Sequence, residues 1–255
     1  MSKKSPTKSA EAKAEARSSE KQARLGTQMR GRLAEAYDAR GHSRGTLNYH
    51  YSPKCRRDVV LMGHAELGHF LTVEYNARIV EVDYAPRDKV KGIAGDELGE
   101  FIHASIKLRD GTKVWRHISA ENPGDKHDVI EANLNRLIAH KTHPDLPDRY
   151  EKWIWEENRL KPQLIHNSLR MVSWLAQARE WPLLEESKKI LALVAANGEI
   201  AASDVMALDS SPAQALYLAA MSKLVLSGQL DSDLTHLPLS PISRLYKLEG
   251  VRHEQ

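Results

Sequence analysis

From Phe101 to Leu108 the chain alternates apolar and polar side chains ahead of an Asp-Gly pair, and no other stretch restricts its folding so tightly. Ile102, Ala104, Ile106 and Leu108 fall on one side and His103, Ser105 and Lys107 on the other, the two-residue period of a half-buried strand. Asp110-Gly111 turns the chain, because Gly accepts positive φ without steric cost, and Lys113 to Ser119 returns as the partner strand. Two registers are open. A two-residue turn sets His103 against Ile118 and sends His117 to the other side. A three-residue turn, Arg109-Asp110-Gly111 with Gly in the left-handed bulge position, sets His103 opposite His117 with Ser119 on the same face. Only the second register allows a shared site.

Ahead of the hairpin, Gly63 to Tyr75 has a helical rhythm, with Leu67, Phe70, Leu71 and Tyr75 at spacings of three and four and Glu66 bordering the stripe. Arg78 to Tyr84 is β-rich, and Lys89 to Gly99 is a charged, glycine-containing excursion. The order is therefore helix, strand, strand, strand, with Glu66, His103, His117 and Ser119 as candidate site residues. Each histidine alone also reads as a strand histidine hydrogen-bonded at a sheet face, and His64, His69 and Glu74 read as solvated or structural. Asp125 or Asp128 can cap a following helix whose apolar face, Val129, Ile130, Leu134, Leu137 and Ile138, would cover the sheet.

His140 to Asp148, with Pro144 and Pro147, reads as a linker, which divides the chain into a basic tail (1–28), a first domain (29–147) and a second (148–255). The tail is expected to be disordered; a short helix around Leu33 to Ala39 and a loop through Gly41, Gly45 and Pro53 precede Asp58. Beyond the linker, Tyr150 to Trp155 reads as a last strand and Leu164 to Arg179 as a helix. A second helix, entered at Pro182, ends at Gly198. Ala202 to Leu208 and Pro212 to Ser227 complete a three-helix set, and Gln229 to Asp233 pairs with Ser243 to Leu248 as a small wing. That order is a winged helix-turn-helix.

Charge is unevenly spread. Residues 1–57 hold 14 Lys and Arg against 5 Asp and Glu, whereas the remainder holds 23 against 29. Neutralising phosphates with Lys and Arg supplies most non-specific nucleic-acid affinity, so the basic part is where DNA would bind. Arg30, Arg32, Arg40, Arg44, Lys54, Arg56 and Arg57 are the candidates, because Leu33, Tyr37, Tyr49 and Tyr51 are interleaved with them. The second domain points elsewhere. From Gly198 onward, four Lys and Arg face seven Asp and Glu, and the would-be recognition helix carries one cation, Lys223, which suits packing or a protein partner better than a major groove. A single cysteine, Cys55, excludes an intramolecular disulfide, and no apolar run approaches the roughly 18 residues of a membrane helix. A cytoplasmic protein without a cleaved signal is expected.

Tyr51-Ser52-Pro53-Lys54, Arg57-Asp58-Val59, the helix with Glu66, Val82-Asp83-Tyr84-Ala85-Pro86 and the Asp110-Gly111 hairpin resemble the N-terminal domain of the TnsA family. Tyr150 to Trp153, Leu160 to Asn167 and Leu224 to Leu239 are similar to its second domain, so the resemblance runs from about Arg40 to Glu249. It implies an α/β fold, a restriction-endonuclease-like mixed-sheet core followed by a mainly α winged-helix domain. It also implies an endonuclease subunit of a heteromeric cut-and-paste transposase, acting at transposon ends with an integrase-like transposase and an ATPase regulator.

In that family the metal site is a Glu on the helix, an Asp on the second strand, then Glu or Gln, one spacer and Lys on the third, holding Mg²⁺ or Mn²⁺ that activates water. The resemblance puts Glu66 in the first position and His103, His117 and Ser119 in the other three, with Glu66, His103 and His117 as the implied metal ligands. Three of the four depart from the family pattern: imidazole suits Zn²⁺ or Mn²⁺ rather than Mg²⁺, and serine cannot replace a cationic lysine. Three readings follow: an endonuclease with altered ligands, a catalytically dead nuclease fold that binds DNA and a transposase, and a winged-helix transcriptional regulator.

Overall fold

The computed structural model describes residues 46–122, 124–209 and 213–247. The expected tail, the helix around Leu33, and Arg30, Arg32, Arg40 and Arg44 lie outside the described residues.

Two strands, β1 (Leu47–Ser52) and β2 (Arg57–Met62), pair as an antiparallel hairpin where a loop was expected. Its four-residue turn contains no glycine, and Arg56 takes the left-handed position at φ 54°. Helix α1 (Gly63–Tyr75) follows at once, then β3 (Ile79–Asp83), the short helices α2 (Arg87–Ala94) and α3 (Asp96–Phe101), β4 (Ala104–Leu108) and β5 (Lys113–Ser119). Helix α4 (Asp125–His140) and β6 (Arg149–Ile154) complete a four-stranded sheet ordered β3-β4-β5-β6. Its first three strands are antiparallel, and β6 runs parallel to β5 after the α4 crossover.

The hairpin adopts the three-residue turn. Ala104 pairs with Arg116 and Lys107 with Lys113, Gly111 sits at φ 91°, and its N–H donates to the Leu108 carbonyl at 3.0 Å. Strand alternation then sends Ala104, Ile106, Val114 and Ile118 toward α1, and Trp115, His117 and Ser119 to the opposite face. Ile118 and Ala104 accordingly cluster with Trp153 and Ala65, while Trp115 clusters with Leu134 of α4, Leu146 and Tyr150. Helix α4 thus covers the second face through Ile130, Leu134, Leu137 and Ile138, but Val129 points outward and is 64% exposed.

The remaining elements are α5 (Pro162–Gln177), α6 (Leu184–Asn197), β7 (Glu199–Ala201), α7 (Ala202–Met206), α8 (Gln214–Leu226), β8 (Leu230–Ser232) and β9 (Arg244–Lys247). The wing pairing between β8 and β9 is present, and β7 joins the other edge of β9 to give the order β7-β9-β8. The largest apolar cluster crosses the expected linker: Val59, Leu61, Phe70 and Leu71 pack with Met171, Met221, Leu224 and Leu245. Each fully buried side chain of this kind contributes about 1.5–3 kcal/mol. The strands and helices on either side of the linker therefore share one core.

Helix α1 meets β6 at Gly68, where a Cβ would collide with the Trp155 ring and press on Trp153. Gly68→Ala is expected to lower stability by about 1–3 kcal/mol, the range for overpacking a close contact. Urea unfolding of the variant against wild type, monitored by far-UV circular dichroism, checks this; an unchanged midpoint contradicts the close approach.

Candidate functional site

The head of the β4–β5 hairpin gathers histidines. The His103 and His117 rings lie 4.7 Å apart, and His127 of α4 lies 4.7 Å from His117. Phe101 stacks on His117 at 4.2 Å, and the Tyr150 hydroxyl lies 2.8 Å from His127 Nε2. The His103 and His117 juxtaposition follows from the three-residue turn. His127 enters because the α4 crossover lays its first turn against β5 and β6.

Hydrogen bonds fix the tautomers of the pair. His103 Nδ1 accepts the Ile118 N–H at 3.0 Å, so a neutral His103 carries its proton on Nε2. His117 lies 2.9 Å from the Phe101 carbonyl through Nδ1, which must donate, so its Nε2 is bare. Burial disfavours the imidazolium in all three rings. It pulls His103 down to about 4, with the neighbouring His117 adding to the effect, and pulls His127 down to about 4, with His117 and Lys152 adding to it. His117 is lowered by burial first, against an opposing contribution from its bond to Phe101. The cluster is therefore uncharged at neutral pH.

Glu66 and Ser119 are placed differently. Glu66 Oε2 accepts the Met62 N–H at 2.6 Å, closing the first turn of its own helix, and burial raises its pKa. Glu66 and His103 line one cleft of about 480 Å³ with Arg87, Glu100 and Ile118. His117 and Ser119 lie on the other face, and the Ser119 hydroxyl is buried without a partner. No hydrogen bond joins any two of Glu66, His103, His117 and Ser119 among the described residues. On the α1 face, the hairpin presents Ala104, Arg116 and Ile118. Arg116 is bound to Glu151 of β6 at 2.7 Å, and its guanidinium lies 3.4 Å from Nε2 of the fully buried His69.

This donor set does not fit Mg²⁺, which takes several hard oxygen ligands. Glu66 supplies one carboxylate, already bonded to the backbone; the two histidines each spend one nitrogen on the backbone; and Ser119 is enclosed. The nearest alternative is His127, Asp128 and Glu131, whose donor atoms all lie within 4.8 Å of one another. Lys152, set beside His117 by the parallel β5–β6 register, places its ammonium 3.0 Å from Asp128 and 2.6 Å from Glu131. One internal cation thus already bridges the two carboxylates. The spacing of His127 and Glu131, four apart on a helix, was the signal for this cluster.

The basic residues divide as well. Lys54 donates through Nζ to the carbonyls of Val73 and Asn76 at 2.6 and 2.5 Å, closing the C-terminus of α1. Beneath it Glu74, fully buried, accepts from Ser52 Oγ at 2.5 Å and from the Lys54 N–H at 3.3 Å. Burial raises Glu74 to about 7 and lowers Lys54 to about 8. Arg57 is paired with Asp83 at 2.5 Å, whereas Arg56 is exposed with no side-chain partner among the described residues.

No protein-family model matches the chain, and no curated protein matches it either.

The lowered histidines have a consequence for stability. Between about pH 6.5 and 4 the unfolded chain binds protons that the folded cluster does not, so the stability these groups contribute is complete above 6.5 and falls as pH falls. Glu74, with its raised pKa, has the opposite slope between about 4.5 and 7. A difference measurement separates them. His127→Gln retains an acceptor for Tyr150 and is expected to lose about 1–3 kcal/mol less than wild type between pH 7 and pH 4.5, by urea unfolding. Equal losses would show that His127 is not the neutral buried group.

Proposed function

We propose that the chain is a TnsA-like subunit of a heteromeric transposase, in which a restriction-endonuclease-like fold is kept for binding DNA and a partner transposase and not for cutting. The order of α1, β3, β4 and β5 supports the resemblance, since it supplies the helix and three strands on which that family carries its metal site. The sheet order β7-β9-β8 beside α6, α7 and α8 likewise agrees with a winged helix. The observation that carries the non-cutting reading is the α1 face of the hairpin. Ala104, Ile118 and Arg116 occupy the hairpin's positions on it, Arg116 holds Glu151, and Glu100, which lines the Glu66 cleft, is paired with Arg87, so among the described residues the carboxylates nearest Glu66 are already committed to arginines. Two-metal hydrolysis needs carboxylates that converge on the attacked phosphate.

The winged-helix regulator reading is disfavoured by α8. Tyr217, Ala219 to Ser222 and Leu224 to Leu226 are all buried, against α5, α6 and neighbouring elements. A helix closed in on this many sides has little surface to lay in a major groove. The exposed Leu237 and Ile242, at 53% and 80%, border the wing instead and suit a protein contact.

The test incubates the full chain with supercoiled plasmid bearing transposon ends and Mg²⁺ or Mn²⁺, with and without an integrase-like transposase. The expected result is a mobility shift with no nicking attributable to this chain, so that Glu66→Ala leaves the cleavage pattern unchanged. Nicking abolished by Glu66→Ala would overturn the non-cutting reading.

A further inference from the structure

A long groove runs between the β1–β2 turn, the β3–β4 edge and the segment joining α5 to α6, with a volume of about 1430 Å³. Nine Lys or Arg line it against four Asp or Glu. The chain beyond residue 57 carries an excess of acid, so folding has concentrated cations here. One of the four acids, Glu74, is fully buried and already bonded to Ser52 and to the Lys54 N–H. Several of the cations are paired, Arg57 and Lys89 with the same Asp83, but the Arg56 guanidinium and the Lys113 ammonium make no hydrogen bond or ion pair among the described residues, and both residues are exposed.

Into this groove the segment between α5 and α6 presents an indole. Trp181 is 59% exposed, while Ala178 and Leu183 on either side of it are each only 4% exposed. The Trp181 backbone N–H donates to the Ala178 carbonyl at 2.9 Å, and Lys223 Nζ donates to the Pro182 carbonyl at 3.0 Å. Leu183 holds the left-handed conformation at φ 56° and starts α6. The ring is thus carried on a segment whose backbone is anchored at both ends, a flat apolar surface on a groove lined by cations.

We propose that this groove binds an unpaired stretch of nucleic acid, its phosphates along the cations and one base stacked on Trp181. The inference rests on the nucleic-acid-binding reading above and sharpens it. Phosphate attraction alone does not distinguish single from double strands, but base pairs within a duplex are already stacked on one another, so apart from its two end pairs a duplex offers no base face to an indole, whereas every unpaired base does. A groove beside a nuclease-like fold would then hold the strand that is frayed or displaced at a DNA end.

The experiment measures fluorescence anisotropy of a labelled oligo-dT and of a blunt duplex of the same length with wild type, Trp181→Ala, Trp181→Phe and the double variant Arg56→Glu/Lys113→Glu. Trp181 is exposed, and melting curves confirm that each variant is folded. We expect Trp181→Ala to weaken oligo-dT binding roughly ten- to a hundredfold, Trp181→Phe to restore most of it, and duplex binding to change little. The double variant should weaken both DNAs and flatten the salt dependence. If Trp181→Ala binds oligo-dT as wild type does while the double variant weakens both DNAs, the stacking inference is overturned and DNA binding stands. If neither DNA binds at low salt, both fail. Binding of poly-glutamate, lost in Trp181→Ala, without binding of oligo-dT would overturn the inference in favour of an acidic protein partner.

Discussion

A single residue of turn length separates two different molecules. With Arg109, Asp110 and Gly111 all in the turn and Gly111 at φ 91°, β4 and β5 pair so that His103 stands opposite His117. A two-residue turn would shift the register by one and move every side chain of β5 to the other face. Val114 and Ile118 would leave α1, and Trp115 would leave the cover provided by α4. Both apolar layers of the sheet depend on that turn, and so does the histidine cluster.

The same register explains why the family-like site does not assemble. A helix carboxylate can meet strand residues only on the face that its helix covers. That face receives Ala104, Arg116 and Ile118, while His117 and Ser119 go to the side of α4. His103, at the head of β4, is the one candidate that shares a cleft with Glu66, and its Nδ1 is held by the Ile118 N–H. Arg116 and Glu151 then form a half-buried pair on the α1 face, where removing either partner would leave the other charge uncompensated. Such a pair leaves that face closed and charge-balanced, whereas metal coordination requires open positions.

Much of this was legible in local pattern. Ala104–Leu108 was readable as a strand from alternation, Lys113–Ser119 as its return across Asp110-Gly111, the three-residue register as one of two options, and the helices after Pro162 from their apolar periodicity. What was not legible depended on contacts distant in sequence. The β1–β2 hairpin was hidden because its turn has no glycine; it is held by Ser52 and Lys54 bonding to Glu74 and to the end of α1, some twenty residues on. His127 joined the cluster only through the crossover that brings α4 over β5. The bonds from Lys54 to the end of α1 were hidden in the same way, because composition cannot place that helix beside it.

The distribution of charge then separates what the two halves of the chain can do. A winged-helix order invites a search for cations on its recognition helix, yet α8 is closed in by the shared core and Lys223 near its end turns to the Pro182 carbonyl. That bond steadies the segment carrying Trp181. The helix whose place in the motif suggests DNA reading therefore acts as a support, and the charge it lacks appears along a groove that the first half of the chain largely lines. The shared core around Phe70, Met171 and Met221 makes this division workable, because it fixes the α5–α6 segment against the β1–β2 turn. Cations from one half and an indole from the other are held as two walls of one surface.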